Sequence, residues 1–420
     1  MRLRPLPPIA IGVASAVFVL LTQVFGHAQD PVGQTMFRST TSLVEVDVMV
    51  HDDHNEFVAG LTADDLSVLE DGKPQAIEQC YLVKADTGLT LTPPDAATTE
   101  SDIGVSHRIF VLVFDEADLE TSALLRIKDA AQTFLLSQFH EGDFGGVVVN
   151  GELFQGKLTR SRSTLLAAVR LVKPAFDSRQ SRLLPFRQFP QLPGEAEAER
   201  VAMGDTTLTQ QIGAQDCQTD AASCNAVGGL QQVENKLQQK ARFYIGTARD
   251  ATRYTLESLR QVVGALAAMP GRKTVIFMSD GFFTSESTNE LRQLAGIAAR
   301  ASEAIYAIDG RGLSGGPPEA PDVLTPEAPI AAAMDRSDDG AGMLADGTGA
   351  LVIRHATDIG RALSAIASDT STYYVVGYRP TNSTMDGKFR RIEVKAKPSG
   401  LHIRARTGYI ATPLPPLAVK

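Results

Sequence analysis

Four short runs, RIFVLVFD (108–115), FGGVVVN (144–150), KTVIFMSD (273–280) and AIYAID (304–309), are apolar at nearly every position and then stop on a polar residue. A strand with one face in water alternates apolar and polar residues. A strand that is apolar throughout is covered on both faces. Between these runs lie segments with helical periodicity: LETSALLRIKDAAQTFLLSQF, SRSTLLAAVRLV, ARDATRYTLESLRQVVGALAAM and TNELRQLAGIAARASE. GALVIRH and DIGRALSAIASDT continue the alternation, and ELFQGKLT reads as an edge strand. Repeated strand–helix–strand units with covered strands require a mostly parallel sheet with helices on both faces. Residues 108–370 are therefore expected to form an α/β domain.

The flanks follow another rule. In TTSLVEVDVMVHDD, Val44, Val46, Val48 and Val50 alternate with polar residues, the mark of a half-buried strand. Asp71-Gly72 is a hairpin signal between two further short strands. Residues 37–84 thus read as a small β unit. TYYVVGYRP, KFRRIEVKAK and LHIRARTGYI give a second β unit over 372–411. Because one β unit lies on each side of the α/β series, the two are expected to pack together as one flanking domain. The Thr/Asp/Pro-rich stretch 85–106 reads as a linker. Two segments interrupt the α/β series, 174–238 and the Pro/Gly/Asp-rich 311–343, and both read as irregular surface excursions.

The amino terminus sets the expected compartment. Arg2 and Arg4 precede an apolar stretch from Ile9 to Leu21 and the small-residue site Gly26-His27-Ala28. This is the pattern of a secretory signal peptide over 1–28, cleaved after Ala28, with an uncleaved anchor helix as the alternative. Export to the periplasm or beyond is the expectation. Cleavage removes two arginines and no acid, taking the net charge from -9 to -11. A chain that acidic, without a Lys/Arg cluster, is a poor match to nucleic acid. The absence of Trp and an aromatic content of 6% argue against an aromatic-lined groove for a sugar or nucleobase, and no small-molecule substrate is expected. In an oxidising compartment Cys217 and Cys224, in CQTDAASC, could close a small disulfide loop, whereas Cys80 reads as a small core residue.

Ligands of open parallel sheets bind beyond the carboxyl ends of the strands. The residues found there are Asp115, Asp280 and Asp309, while Asp143 lies at the opposite end of its strand. Clustered carboxylates attract hard divalent cations, but aspartates also start loops and cap helices, and both readings stand. His51 and His54 fall in the turn-like HDDHNE, and His355 follows a strand with no evident nucleophile partner. No G-x-S-x-G elbow, HExxH, CxxC or Gly-rich Lys-Ser/Thr loop is present.

The segments RIFVLVFDEADLETSALLRIKDAAQTFL, PGRKTVIFMSDGFF and AIYAID, in that order, resemble a von Willebrand factor type A domain. The leader VEVDVMVHDDHNEFVAGLTADDLSVLEDGKPQAI and the ending YYVVGYRPTNSTMDGKFRRIEVKAKPSGLHIRARTGYI are similar to those of the von Willebrand factor type A-related proteins of acidobacteria. The resemblance covers residues 40–410 apart from the two excursions. It implies a Rossmann-like α/β core and a metal-ion-dependent adhesion site whose first motif is Asp-x-Ser-x-Ser. Asp115 and Asp280 match that site's aspartates. Ala117 and Leu119 stand where the two serines belong, with Asp118 as a substitute ligand, direct or through water. Thr247 and Thr252 are candidates for the site's threonine. The implied function is non-enzymatic binding of a protein partner, through Mg²⁺, Ca²⁺ or Mn²⁺ held weakly by Asp115, Asp118 and Asp280. The alternative is a structural scaffold without metal, with contacts made by the excursions or the β unit. The first reading requires that the tips of the first and fourth core strands be neighbours and that their acids share a shallow depression open to water.

Overall fold

The computed structural model describes residues 43–54, 56–84, 89–91, 108–175, 178–269, 271–281, 287–309, 339–353 and 358–414. The expected signal peptide, most of the 85–106 stretch, residues 311–338 and His355 lie outside the described residues.

The first β unit contributes β1 (Val44–Asp52), β2 (Leu66–Glu70), β3 (Lys73–Gln75), β4 (Ile77–Lys84) and β5 (Leu89–Leu91). The α/β series contributes β6 (Ile109–Phe114), β7 (Phe144–Val149), β8 (Glu152–Leu153), β9 (Lys273–Ser279), β10 (Glu303–Asp309) and β11 (Val352–Ile353). The chain closes with β12 (Thr372–Tyr378), β13 (Phe389–Ala396), β14 (Leu401–Ala405) and β15 (Gly408–Ile410). Among the described residues the helices are α1 (Thr121–Ser137), α2 (Arg162–Leu171), α3 (Arg179–Leu183), α4 (Glu195–Ala202), α5 (Thr206–Thr219), α6 (Ala221–Val227), α7 (Leu230–Leu266), α8 (Thr288–Arg300), α9 (Asp339–Thr348) and α10 (Ile359–Asp369).

The core sheet runs β11-β10-β9-β6-β7-β8, parallel except for β8 at the edge. This is a mixed α/β, Rossmann-like core. Its strands show why they are apolar at every position. Phe110, Leu112 and Phe114 of β6 face the α1, α2 and α10 layer, and Ile109, Val111 and Val113 face the α7, α8 and α9 layer. Ile276 and Met278 of β9 take the first side, and Val275 and Phe277 the second.

The two ends of the chain pair strand to strand. β12 lies between β1 and β4 in the sheet β14-β1-β12-β4-β5, and β13 joins β2 to β15 in the sheet β15-β13-β2-β3. The valines of β1 meet Leu66, Val68, Ile392 and Tyr409 between these sheets. Within the stretch read as a linker, 89–91 is a strand paired with β4.

This β unit covers the amino ends of the core strands. Arg272, next to the start of β9, is buried there. It forms an ion pair with Asp47 at 3.3 Å, donates to the Tyr306 hydroxyl at 3.0 Å and lies over the Tyr373 ring. Arg404 of β14 pairs with Asp369 and donates to the Gly349 carbonyl. Glu303 opens β10 at the same seam, is 1% exposed and has neither carboxylate oxygen hydrogen-bonded. Asp143, also at the amino ends, holds Arg108 in a buried ion pair of 2.7 Å.

The 174–238 segment departs from the expected irregular excursion. It folds as α3 to α6 and the first turns of α7, around a core of Phe186, Leu192, Val201, Val233 and Leu237. α7 runs 37 residues rather than starting near 248. Its first half closes this helical core, and its second half packs Leu256, Leu259 and Val263 on the main sheet. Caps at Asp205 and Asp220 start α5 and α6. A disulfide joins Cys217 to Cys224 across that junction. Cys80 is half-buried and free.

Candidate functional site

β6 and β9 are adjacent, with Phe114 in register with Met278, so Asp115 and Asp280 emerge side by side at the carboxyl edge of the sheet. The Asp115 amide donates to the Met278 carbonyl at 2.9 Å, closing the last rung. The turn Glu116–Asp118 then brings Asp118 back, with its amide on the Asp115 carbonyl at 3.2 Å. Asp309 ends β10 in register with Ser279, one strand further out.

The depression is not open to water. Asp115 is 3%, Asp118 3% and Asp280 1% exposed. Both Asp115 carboxylate oxygens are in use: Oδ1 accepts from the Thr255 hydroxyl at 2.8 Å and Oδ2 from the Ser279 hydroxyl at 2.6 Å. Asp280 Oδ2 accepts from the Glu120 amide at 2.8 Å, just before α1. Asp280 Oδ1 and Asp118 Oδ2 are buried without a hydrogen-bond partner.

The cover comes from α3. Its residues Arg179 and Arg182 are three apart and so share a helix face. Arg182 pairs with Asp118, each side chain 5% exposed, and its Nη1 reaches the Ala117 carbonyl at 3.3 Å. Arg179 donates its backbone amide to the Ala117 carbonyl at 2.9 Å and its Nη1 to the Asp280 carbonyl at 2.7 Å. Its Nε donates to Glu195 of α4 at 3.1 Å, and Glu195 also accepts from the Tyr244 hydroxyl of α7. Three helices thus fix the arginine pair over the strand tips.

Burial dominates the electrostatics. It pushes Asp280 up to about 6, with the Glu120 hydrogen bond and Arg179 opposing. It also raises Asp115 and Asp118; the Ser279 and Thr255 hydroxyls oppose the first shift, while the Asp115 charge adds to the second against Arg182. Burial would raise Glu195 too, but Arg179 holds it below the usual carboxylate range.

The donor set does not suit a divalent ion. Ala117 offers no hydroxyl, Leu119 is packed in the apolar core, and Asp118 is committed to an arginine. Among the described residues no group of three His, Cys, Asp or Glu side chains is placed to hold a metal. A small cavity on the α7 side is lined by Asp115, Glu116, Tyr254, Thr255 and Ser258. There Glu116 Oε1 is buried and unpartnered.

Of the sequence candidates, the fold gathers Asp115, Asp118 and Asp280. Thr252 is buried on α7, and the Thr247 hydroxyl turns to the Tyr244 carbonyl. The threonine that meets Asp115 is Thr255, one helical turn beyond Thr252. His51 lies on β1 beside the Phe57 ring, and His54 is exposed. Ser279, Arg179 and Arg182 were not singled out by sequence. Ser279 could have been, since it directly precedes Asp280 at a strand end. The arginines lie some sixty residues beyond the strand they serve, in a segment with no periodic signal.

No family model matches the sequence, and no curated protein matches it. Among solved structures the chain is similar to a conserved hypothetical protein BatB from Bacteroides thetaiotaomicron. That likeness has a TM-score of 0.32 and 12% identity, over 63% of this chain and 98% of that one.

Proposed function

We propose that this is an exported, non-catalytic protein with a von Willebrand factor type A-like core, acting as an envelope or secreted scaffold that contacts another protein without a metal ion. The observation that carries this reading is the closed acidic edge: Asp118 faces Arg182, and Asp280 lies beneath Arg179. A carboxylate cluster that is already hydrogen-bonded and covered offers a partner no coordination position. Contacts then fall to the other surfaces, and the helical segment presents large apolar side chains to solvent: Leu184, Met203 and Phe243. The Cys217–Cys224 disulfide within that segment supports an oxidising, exported setting.

The test is a cross-linked pull-down from the native envelope with the mature protein as bait. Capture should be the same in EDTA and in Mg²⁺, and should fall with Phe243→Asp and Met203→Asp while Asp115→Asn leaves it intact. Capture that disappears in EDTA, or with Asp115→Asn in a folded bait, removes the reading.

A further inference from the structure

We infer that Arg182, seconded by Arg179, is the built-in cation of the strand-tip cleft, standing where the resemblance to von Willebrand factor type A domains calls for a divalent ion. The inference rests on the proposed von Willebrand-like core and deepens it by giving the site a fixed occupant.

Three buried carboxylates at one sheet edge need a countercharge. Without one, each is either neutral or a strongly destabilising buried charge. A divalent ion would bring two positive charges. The α3 face brings two guanidinium groups, one on the Asp118 carboxylate and one on the Asp280 carbonyl. The Arg182 guanidinium and the Arg179 backbone amide also donate to the Ala117 carbonyl, so the backbone of the strand-tip turn is held by the same face that neutralises it. Neither arginine is a loose surface arm. Arg182 is 8% exposed, and Arg179 is gripped by Glu195, itself held by Tyr244. Asp118 Oδ2 and Asp280 Oδ1 remain as buried acceptors without hydrogen bonds, the atoms to which a smaller cation would turn once a guanidinium withdrew.

A guanidinium differs from a metal ion in one functional respect. It donates a fixed fork of hydrogen bonds and keeps no exchangeable position for an incoming carboxylate. Metal-independence is then a built property of the chain, and the helical segment between β7 and β9 is the device that confers it.

The test uses Mn²⁺ alone as the probe, with the full mature protein. In the wild type, the melting temperature should be the same in EDTA and in millimolar Mn²⁺. Arg182→Gln removes the charge and should melt lower in EDTA. It should then gain a saturable rise with Mn²⁺ of about 3 °C at about 100 times its Kd. Adding Asp280→Asn should abolish that gain, and Arg182→Lys, which keeps the charge, should stay indifferent to the ion. If Arg182→Gln does not fold in EDTA, it should recover cooperative melting when refolded with Mn²⁺. A folded Arg182→Gln that ignores Mn²⁺, a failure of Mn²⁺ to restore an unfolded one, or a wild type whose melting rises with Mn²⁺ through Asp115 and Asp280 overturns the inference. The pull-down judges the scaffold reading separately, because partner capture is not read here.

Discussion

At the scale of single residues, burial decides what a carboxylate does. Asp115 is the hub of the strand tips because both its oxygens accept hydroxyls, so Asp115→Ala strands two buried donors. At about 1–3 kcal/mol for each group left unsatisfied, the substitution should cost on the order of 2–6 kcal/mol, with Asp115→Asn milder. Urea unfolding monitored by circular dichroism measures both. Glu303 makes the opposite case at the other end of the sheet. Burial holds its carboxyl well above the usual 4.5, with Lys273 pulling the other way. The folded chain therefore binds this proton more tightly than the unfolded chain. The resulting stabilisation is complete below about 4.5 and is lost as pH rises toward the folded value. Glu303→Gln should melt higher than wild type at pH 7 and show a flatter dependence between pH 4 and 7. Equal slopes in the two proteins would show that Glu303 does not carry that dependence.

At the scale of elements, the parts legible in the sequence were those with a short-range signal. β6, β7, β9 and β10 announce themselves through continuous apolar runs, because both sheet faces are covered. The helical segment gave no such signal. Its core side chains, such as Phe186, Val201 and Leu237, belong to different elements and meet only after the chain has turned several times. Its disulfide closes a small loop, with Cys217 and Cys224 seven apart. Replacing both by Ser should therefore lower stability by roughly 2 kcal/mol on the loop-entropy account. Differential scanning calorimetry of the double variant tests this, and an unchanged melting temperature would place the α5–α6 junction outside the cooperative unit.

At the scale of the molecule, the sheet is closed at both ends. The β unit seals the amino ends through Arg272 and Arg404, and the helical segment seals the carboxyl ends through Arg179 and Arg182. The β unit is also shared between the chain's ends, since β12 is the neighbour of both β1 and β4. A fragment stopping at residue 371 should therefore lose cooperative melting and become protease-sensitive in its first eighty-odd residues. Adding back a 372–414 peptide should restore protection. A fragment that melts cooperatively by itself would show that β1 to β5 form a stable sheet without their partner.

The α/β class, the place of the covered strands, the flanking β segments and the aspartates at the strand ends are all legible in the order of residues. These follow from periodicity and from the abrupt change of polarity at a strand terminus, both of which act over a few residues. What those aspartates face is set by long-range packing alone. Whether a carboxylate looks into water or into a guanidinium depends on how a segment distant along the chain packs, and neither charge nor burial at that distance leaves a mark on local spacing.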